Sequence, residues 1–285
     1  QMLSAFIFFI LLFVIQFFYD EVNIIYISII YGISIIFSAL MQYILVITKN
    51  ATFHFNWDFK KIQINKVLKK TTQMEGFFLI QISFLIYYST DRLLIGYLGS
   101  PKELVSYDLS IKIFTFVTMI HGVMMSVLIS SVTKGFATEN KLELRQTLKK
   151  YMLITILFIL FCILISQGMQ TLFNIWVGNE IIIESRLLFL TLLYVCIILW
   201  NATFAVFINA SGIIYINSRV TTISALLNVP ISYLLSTKLN LGADGVVLGT
   251  VICLLAVALL APVQLFFILH PRLNNSRLSN FLLRK

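Results

Sequence analysis

Residues 246–269 read VVLGTVICLLAVALLAPVQLFFIL and contain no charged side chain. An α-helix rises about 1.5 Å per residue, so about 20 apolar residues suffice to cross the hydrocarbon core of a bilayer. This stretch therefore predicts a transmembrane helix. The alternation typical of transmembrane β-strands is missing, and we expect an all-α integral membrane protein with eight transmembrane helices. The seven other apolar stretches lie at 2–19, 23–47, 76–98, 105–132, 151–173, 187–210 and 220–237.

The composition agrees with this class. Of 285 residues, 59% are hydrophobic and only 12% are charged, whereas a soluble domain carries about 25% charged residues. A water-soluble globule could not bury so much apolar surface. The composition therefore excludes a soluble enzyme, a nucleic-acid-binding domain, a disordered chain and a disulfide scaffold, and no nucleic acid is expected among the partners.

The sequence carries no recognisable catalytic or metal-binding arrangement. Its three cysteines, Cys162, Cys196 and Cys253, lie inside apolar stretches and lack metal-ligand spacing. No Ser/His/Asp, Cys/His or HExxH constellation and no phosphate-binding glycine loop occurs. We therefore expect no enzyme activity, no cofactor and no metal site.

The distribution of basic residues predicts the orientation in the membrane. With eight transmembrane helices, 16 of the 21 Lys and Arg residues lie in the connections on one side and three lie on the other. Connections rich in Lys and Arg stay in the cytoplasm, so the larger group marks the cytoplasmic side. The C-terminus is then cytoplasmic.

Two of the cytoplasmic connections are long and basic. Residues 48–74 combine aromatic residues and lysines with apolar residues at helical spacing, and 134–150 repeat the pattern. Both predict amphipathic helices that lie against anionic membrane lipids. The connection at 48–74 is also the best boundary within the chain, with 1–47 before it and 75–285 after it.

Four ionisable residues lie inside consecutive apolar stretches, at similar predicted depth. Asp91 and Arg92 precede the connection near Gly99, and two more follow it. These are Asp108 and Lys112, which have the spacing and order of a helical ion pair. At the bilayer centre each such group costs about 2.5–3.5 kcal/mol, so it needs a partner or water. We expect structural charge pairs at Asp91 and Asp108. Arg92 and Lys112 are expected to line a hydrated substrate cavity.

Polar residues extend along three of the predicted helices as stripes. Gln81 and Tyr88 share a helical face with Arg92, and Asn228 lies in a row of Asn, Ser and Thr residues spaced three or four apart. Such stripes favour a shared hydrated cavity, to which Gln81, Tyr88 and Asn228 would contribute. The alternative is that they form hydrogen bonds between helices in a dry bundle.

Two further features indicate contacts between packed helices and not a functional site. Gly245 and Gly249 form a GxxxG step, which is typical of close helix–helix contact. His121 lies off the polar stripe of its helix, so we expect a packed histidine rather than a proton relay.

The run at 88–99, YSTDRLLIGYLG, and its continuation to Lys112 resemble the seventh-helix pattern of bacterial polysaccharide flippases. These flippases belong to the multidrug/oligosaccharidyl-lipid/polysaccharide exporter superfamily. Other motifs are similar to the segment after helix nine and to helices ten to twelve, and the resemblance covers most of 75–270. These motifs are NIWVG at 174–178, NASG at 209–212, NVP at 228–230 and GADG at 242–245.

The resemblance implies a two-lobe transporter of twelve transmembrane helices that works by alternating access. Residues 1–47 would be the last two helices of the N-terminal lobe, and 75–285 would be the C-terminal six-helix lobe. The copy is therefore expected to be truncated at its N-terminus. The implied function is export of an undecaprenyl-pyrophosphate-linked oligosaccharide, an O-antigen, lipopolysaccharide or capsule repeat unit, across the bacterial cytoplasmic (inner) membrane. A glycan polymerase and chain-length regulators are the implied protein partners.

Three other functions stay open. A drug or cation antiporter of the same superfamily would be expected to prefer carboxylates to cationic cavity residues. A peptidoglycan-precursor flippase would carry a similar anionic lipid-linked substrate. A membrane glycan polymerase should have a large outer loop with Arg or His, whereas the predicted outer connections are short.

The predicted orientation can be tested by cysteine labelling in a variant without the native cysteines. Lys61→Cys and Lys141→Cys should react with a membrane-impermeant reagent only from the cytoplasmic side, and Lys102→Cys only from outside. The reverse pattern would overturn the orientation.

Overall fold

The computed structural model describes residues 24–49, 64–176, 178 and 184–270. The chain divides into two compact units, Gln1–Gln63 and Ile64–Lys285. The first unit contributes one described helix, α1, at Ile24–Lys49. This helix coincides with the second predicted span, whereas the first, at 2–19, lies outside the described residues.

All regular elements in the described residues are α-helices. Six helices of the described chain, α2 to α4 and α6 to α8, are long and apolar enough to cross a membrane. The prediction of an all-α chain with membrane-spanning helices is confirmed at this level. The helices of the second unit are α2 (Ile64–Leu98), α3 (Pro101–Ala137), α4 (Lys141–Gln167), α5 (Met169–Trp176), α6 (Ser185–Ser211), α7 (Tyr215–Lys238) and α8 (Gly242–Leu269).

The basic connections are organised differently from the prediction. There is no separate interfacial helix at 134–150, because α3 continues through Lys134 and α4 begins at Lys141. The Asn140 side chain caps α4 by accepting a hydrogen bond from the Glu143 N–H at 3.2 Å. The last part of the predicted 48–74 connection, from Ile64, is the beginning of α2, and residues 50–63 lie outside the described chain.

The turn between α2 and α3 fixes the two helices that carry the predicted charges. Ser100 caps α3, and its side chain accepts a hydrogen bond from the Glu103 N–H while the Glu103 carboxylate accepts one from the Ser100 N–H. Pro101 follows at the first helical position, where a missing N–H costs nothing. A side chain at Gly99 would meet the Ile95 carbonyl oxygen at 2.7 Å, so the tight turn needs glycine. This turn makes α2 and α3 an antiparallel pair.

The two most buried spans, α6 and α8, form the centre of the second unit. α8 packs against α6, α7 and α2, and α6 packs against α3 and α4. One apolar cluster, around Phe114 and Val247, lies toward the N-terminal ends of α3, α6 and α8. A second cluster, around Phe207 and Leu265, lies toward their C-terminal ends.

The backbones of α7 and α8 approach each other closely at the GxxxG step. A Cβ atom at Gly245 would lie 2.6 Å from the Ser236 nitrogen, and one at Gly249 would lie 2.7 Å from the Ser232 Cα. The short distance lets the Ser232 hydroxyl donate to the Val246 carbonyl oxygen at 3.0 Å. The predicted close packing at these glycines is confirmed.

We expect Gly249→Ala to lower the free energy of unfolding by about 1–3 kcal/mol, because the methyl group would push the two backbones apart. Gly122→Ala is the matched control, since nothing lies within 4 Å of a Cβ atom there. It should leave stability unchanged or raise it by up to about 1 kcal/mol through helix propensity. Thermal unfolding in detergent measures both, and equal effects of the two changes would contradict the packing argument.

Candidate functional site

Asp91 lies at a junction between three helices and has no exposed surface. The Tyr107 hydroxyl of α3 donates to its Oδ2 at 3.0 Å. The Thr250 hydroxyl of α8 donates to its Oδ1 at 2.5 Å. Both carboxyl oxygens of Asp91 thus have a buried partner, which a polar group inside a membrane protein requires.

The contacts continue into α7. Thr250 Oγ1 also lies 3.0 Å from the Asn228 Oδ1 atom, and the Ser232 hydroxyl lies 2.9 Å from the same oxygen. We call Asp91, Tyr107, Asn228, Ser232 and Thr250 the Asp91 cluster. The contacting side-chain atoms of the cluster are all oxygens. Oxygen ligands suit hard cations and not soft metals.

Arg92 lies on a neighbouring, partly exposed side of α2. Its Nε atom forms an ion pair with Asp108 Oδ1 at 2.8 Å, and its guanidinium stacks 4.6 Å above the centre of the Tyr88 ring. Lys112 lies on the same side of α3, one turn beyond Asp108, and is exposed. We call Tyr88, Arg92, Asp108 and Lys112 the cationic face.

The sequence pairs Asp108 with Lys112, whereas the structure pairs it with Arg92 of the neighbouring helix. Lys112 forms no ion pair with any residue in the described part of the chain. Adjacent residues on a helix point about 100° apart, so an inward Asp91 turns Arg92 outward. The four predicted charges are therefore divided, and the cationic face carries two cations and one carboxylate.

Gln81 lies elsewhere, at a cavity of about 210 Å³ between α2, α6, α7 and α8. Asn201 and Asn209 of α6 and Asn217 of α7 also line this cavity. Asn217 belongs to the polar stripe predicted for α7, whereas the sequence interpretation did not assign Asn201 and Asn209 to a cavity. The eight-residue spacing of Asn201 and Asn209 within an apolar run was the available signal, because it puts both on one helical face.

The turn between α6 and α7 brings these amides together. Gly212 ends α6 with φ of 72°, a left-handed conformation that favours glycine. The Gln264 side chain of α8 then donates to the Ile213 carbonyl oxygen at 2.8 Å and anchors the turn. Asn209 before the turn and Asn217 after it consequently line the same cavity.

In the described part of the chain, the polar stripes lie on different surfaces. The α7 stripe faces inward. Asn217 lines the cavity shared with Gln81, Asn201 and Asn209, which we call the amide cavity, and Asn228 belongs to the Asp91 cluster. The α3 stripe from Lys112 through Ser126 is exposed instead. His121 is buried, 3.0 Å from the Thr155 hydroxyl, and is packed as expected.

No group of three or more His, Cys, Asp and Glu side chains that could hold a metal ion occurs in the described part of the chain. The chain matches no protein-family model and no curated protein. The class that the fold defines is a multi-pass helical membrane protein. Its described membrane-spanning helices combine a buried carboxylate cluster, an exposed cationic face and an amide-lined cavity.

The Asp91 cluster can be tested by a double-mutant cycle in detergent. Asp91→Ala should lower the free energy of unfolding by about 1–3 kcal/mol, because it leaves the buried Tyr107 hydroxyl without its acceptor. Tyr107→Phe should cost less in the Asp91→Ala background than in the wild type, since that hydroxyl has already lost its partner. Tyr97→Phe is the control, because Tyr97 is 82% exposed. Strict additivity of the two changes would contradict the contact.

Proposed function

We propose that this protein is a flippase that moves an undecaprenyl-pyrophosphate-linked oligosaccharide across the bacterial cytoplasmic membrane by alternating access. The chain would supply the C-terminal six-helix lobe and two further helices of a twelve-helix, two-lobe transporter. The membrane contains both the substrate and the protein, and the C-terminus is cytoplasmic. No bond is made or broken.

The cationic face is the observation that carries this proposal. Arg92 and Asp108 are 37% and 32% exposed on the second unit, and Lys112 beside them is exposed as well. Charged side chains in membrane-spanning helices avoid lipid and face a protein contact or a water-filled cavity. We infer that this face borders the transport cavity, where its net positive charge attracts an anionic ligand.

The geometry of Arg92 fits a group that binds an anion. Asp108 and Tyr88 hold the guanidinium from two sides, which lowers the entropy lost when a ligand binds. Its remaining N–H groups can still donate to phosphate oxygens, for which a planar guanidinium is well suited. Lys112 adds a second, mobile cation one helical turn away. The pair would balance the charge of a pyrophosphate head while the lipid tail stays in the bilayer.

The rival functions differ in the charge that they need. A drug or cation antiporter would use accessible carboxylates, whereas Asp91 is fully buried and Asp108 is paired with Arg92. A peptidoglycan-precursor flippase would need the same anion-binding face, so it belongs to the same chemistry. A membrane glycan polymerase finds no specific support in the described residues.

The proposal predicts that the purified chain in lipid nanodiscs binds undecaprenyl pyrophosphate and not uncharged undecaprenol. Lys112→Ala should raise the Kd for undecaprenyl pyrophosphate about tenfold or more, because a hydrogen bond to a charged group contributes about 1.5–3 kcal/mol. Lys112→Arg should retain most of the affinity. Native mass spectrometry of the nanodiscs measures both lipids.

Lys102→Ala is the matched control, since Lys102 is an exposed lysine near the start of the same helix. Its affinity should equal that of the wild type. Lys112→Ala should melt at the wild-type temperature, because Lys112 has no ion pair in the described chain. Equal binding of the two lipids, or full affinity of the Lys112→Ala protein, would reject the proposal.

A further inference from the structure

The amide cavity has a second property besides its volume of about 210 Å³. The side-chain oxygens of Asn201, Asn209 and Asn217 are buried and have no hydrogen-bond partner among the described residues. Asn217 as a whole is only 5% exposed. Buried polar atoms are normally paired, so three such acceptors around one cavity need hydrogen-bond donors, which water or a ligand can supply.

The charge of the cavity limits the kind of donor. None of its lining residues in the described chain is ionisable. A cation would therefore be buried without a counter-charge, which is strongly unfavourable. An acyl chain fits the apolar walls but offers no donor to the three oxygens. Besides water, the ligand class that fits is neutral, with hydroxyl or amide donors on an apolar frame.

The mouth of the cavity adds aromatic surface. Phe77 and Phe84 of α2 line it and are 42% and 48% exposed, and Gln81 between them is exposed too. Flat aromatic faces beside a few oriented polar groups are typical of small-molecule pockets. A sugar ring matches both parts, because its C–H face can lie on an aromatic ring while its hydroxyls donate to the amides.

We propose that this cavity binds one neutral sugar ring of the transported glycan, an inference that rests on the proposed function for the identity of the ligand. Gln81 and Arg92 are eleven residues apart, which puts them on one face of α2 at a separation of roughly 16 Å along the helix. The pyrophosphate head at the cationic face and a sugar at the cavity would then lie along the same surface. Pockets for drug-sized ligands measure about 300–1,000 Å³, so this smaller cavity takes a single ring.

Saturation-transfer NMR with the 285-residue chain in nanodiscs tests the inference. The probes are galactose, rhamnose and N-acetylglucosamine at high millimolar concentration, each beside its O-permethylated analogue. At least one free sugar should receive saturation, and its permethylated analogue, which has lost the hydroxyl donors, should not. Absence of a signal for all three sugars, or an equal signal for a permethylated analogue, would overturn the proposal.

Two variants locate the signal. Ala205→Leu fills the cavity, and its control Ala256→Leu adds the same bulk at an exposed position of α8. Asn217→Leu removes an acceptor, and its control is Asn174→Leu on exposed surface of α5. Each cavity variant should weaken sugar binding about tenfold or more, and each control should bind like the wild type. Sugar binding that survives both cavity variants would overturn the proposal.

The melting temperature separates ligand binding from a structural role. Because the Asn217 oxygen has no partner in the described chain, Asn217→Leu should melt at or above the wild-type temperature while losing sugar affinity. A large fall in melting temperature would show that Asn217 stabilises the fold. In that case Ala205→Leu decides, and sugar binding retained by this variant would reject the amide cavity as the sugar site.

The two proposals can fail separately. Undecaprenyl pyrophosphate carries no sugar, so its Lys112-dependent binding tests the cationic face alone. If that binding is present and no sugar binds, the cavity inference fails and the proposed function stands. If sugar binds in the cavity and undecaprenyl pyrophosphate shows no dependence on Lys112, the sugar pocket stands and the proposed function fails.

Discussion

The buried carboxylate of Asp91 joins helices that the hydrophobic effect does not hold together in a bilayer. Lipid tails are as apolar as leucine, so transmembrane helices associate through close packing and hydrogen bonds. Asp91 accepts hydrogen bonds from Tyr107 of α3 and Thr250 of α8. Thr250 also contacts Asn228 of α7, and Ser232 of α7 donates to a backbone carbonyl of α8. Any one helix that moved would leave a buried polar atom of another without its partner. The cluster therefore holds α2, α3, α7 and α8 in one arrangement.

This arrangement also decides which charges remain accessible. With Asp91 turned into the bundle, Arg92 has to face outward, where Asp108 and Tyr88 hold it. Lys112 follows on the same exposed side of α3. One pair of adjacent residues thus places a carboxylate in the interior and a guanidinium on a partly exposed surface.

The amide cavity follows a different principle. Asn201, Asn209 and Asn217 have buried oxygens without partners in the described chain, although such atoms destabilise a protein. The left-handed Gly212 and the contact from Gln264 to Ile213 keep the α6–α7 turn in place nonetheless. Under the proposed sugar binding, these acceptors would give up stability in the empty cavity for function.

The sequence by itself determined the helical membrane class and the close glycine contact between α7 and α8, because both depend on local properties. Apolar length alone forces a helix across a bilayer, and Gly245 and Gly249 remove the side chains that would keep two helices apart. Only the tertiary structure decided that Asp108 pairs with Arg92 and that Asn201 lines a cavity. Periodicity defines the face of a helix on which a residue lies. Which neighbour that face meets depends on how the helices rotate and pack against one another, and that is settled by contacts between residues far apart in the chain.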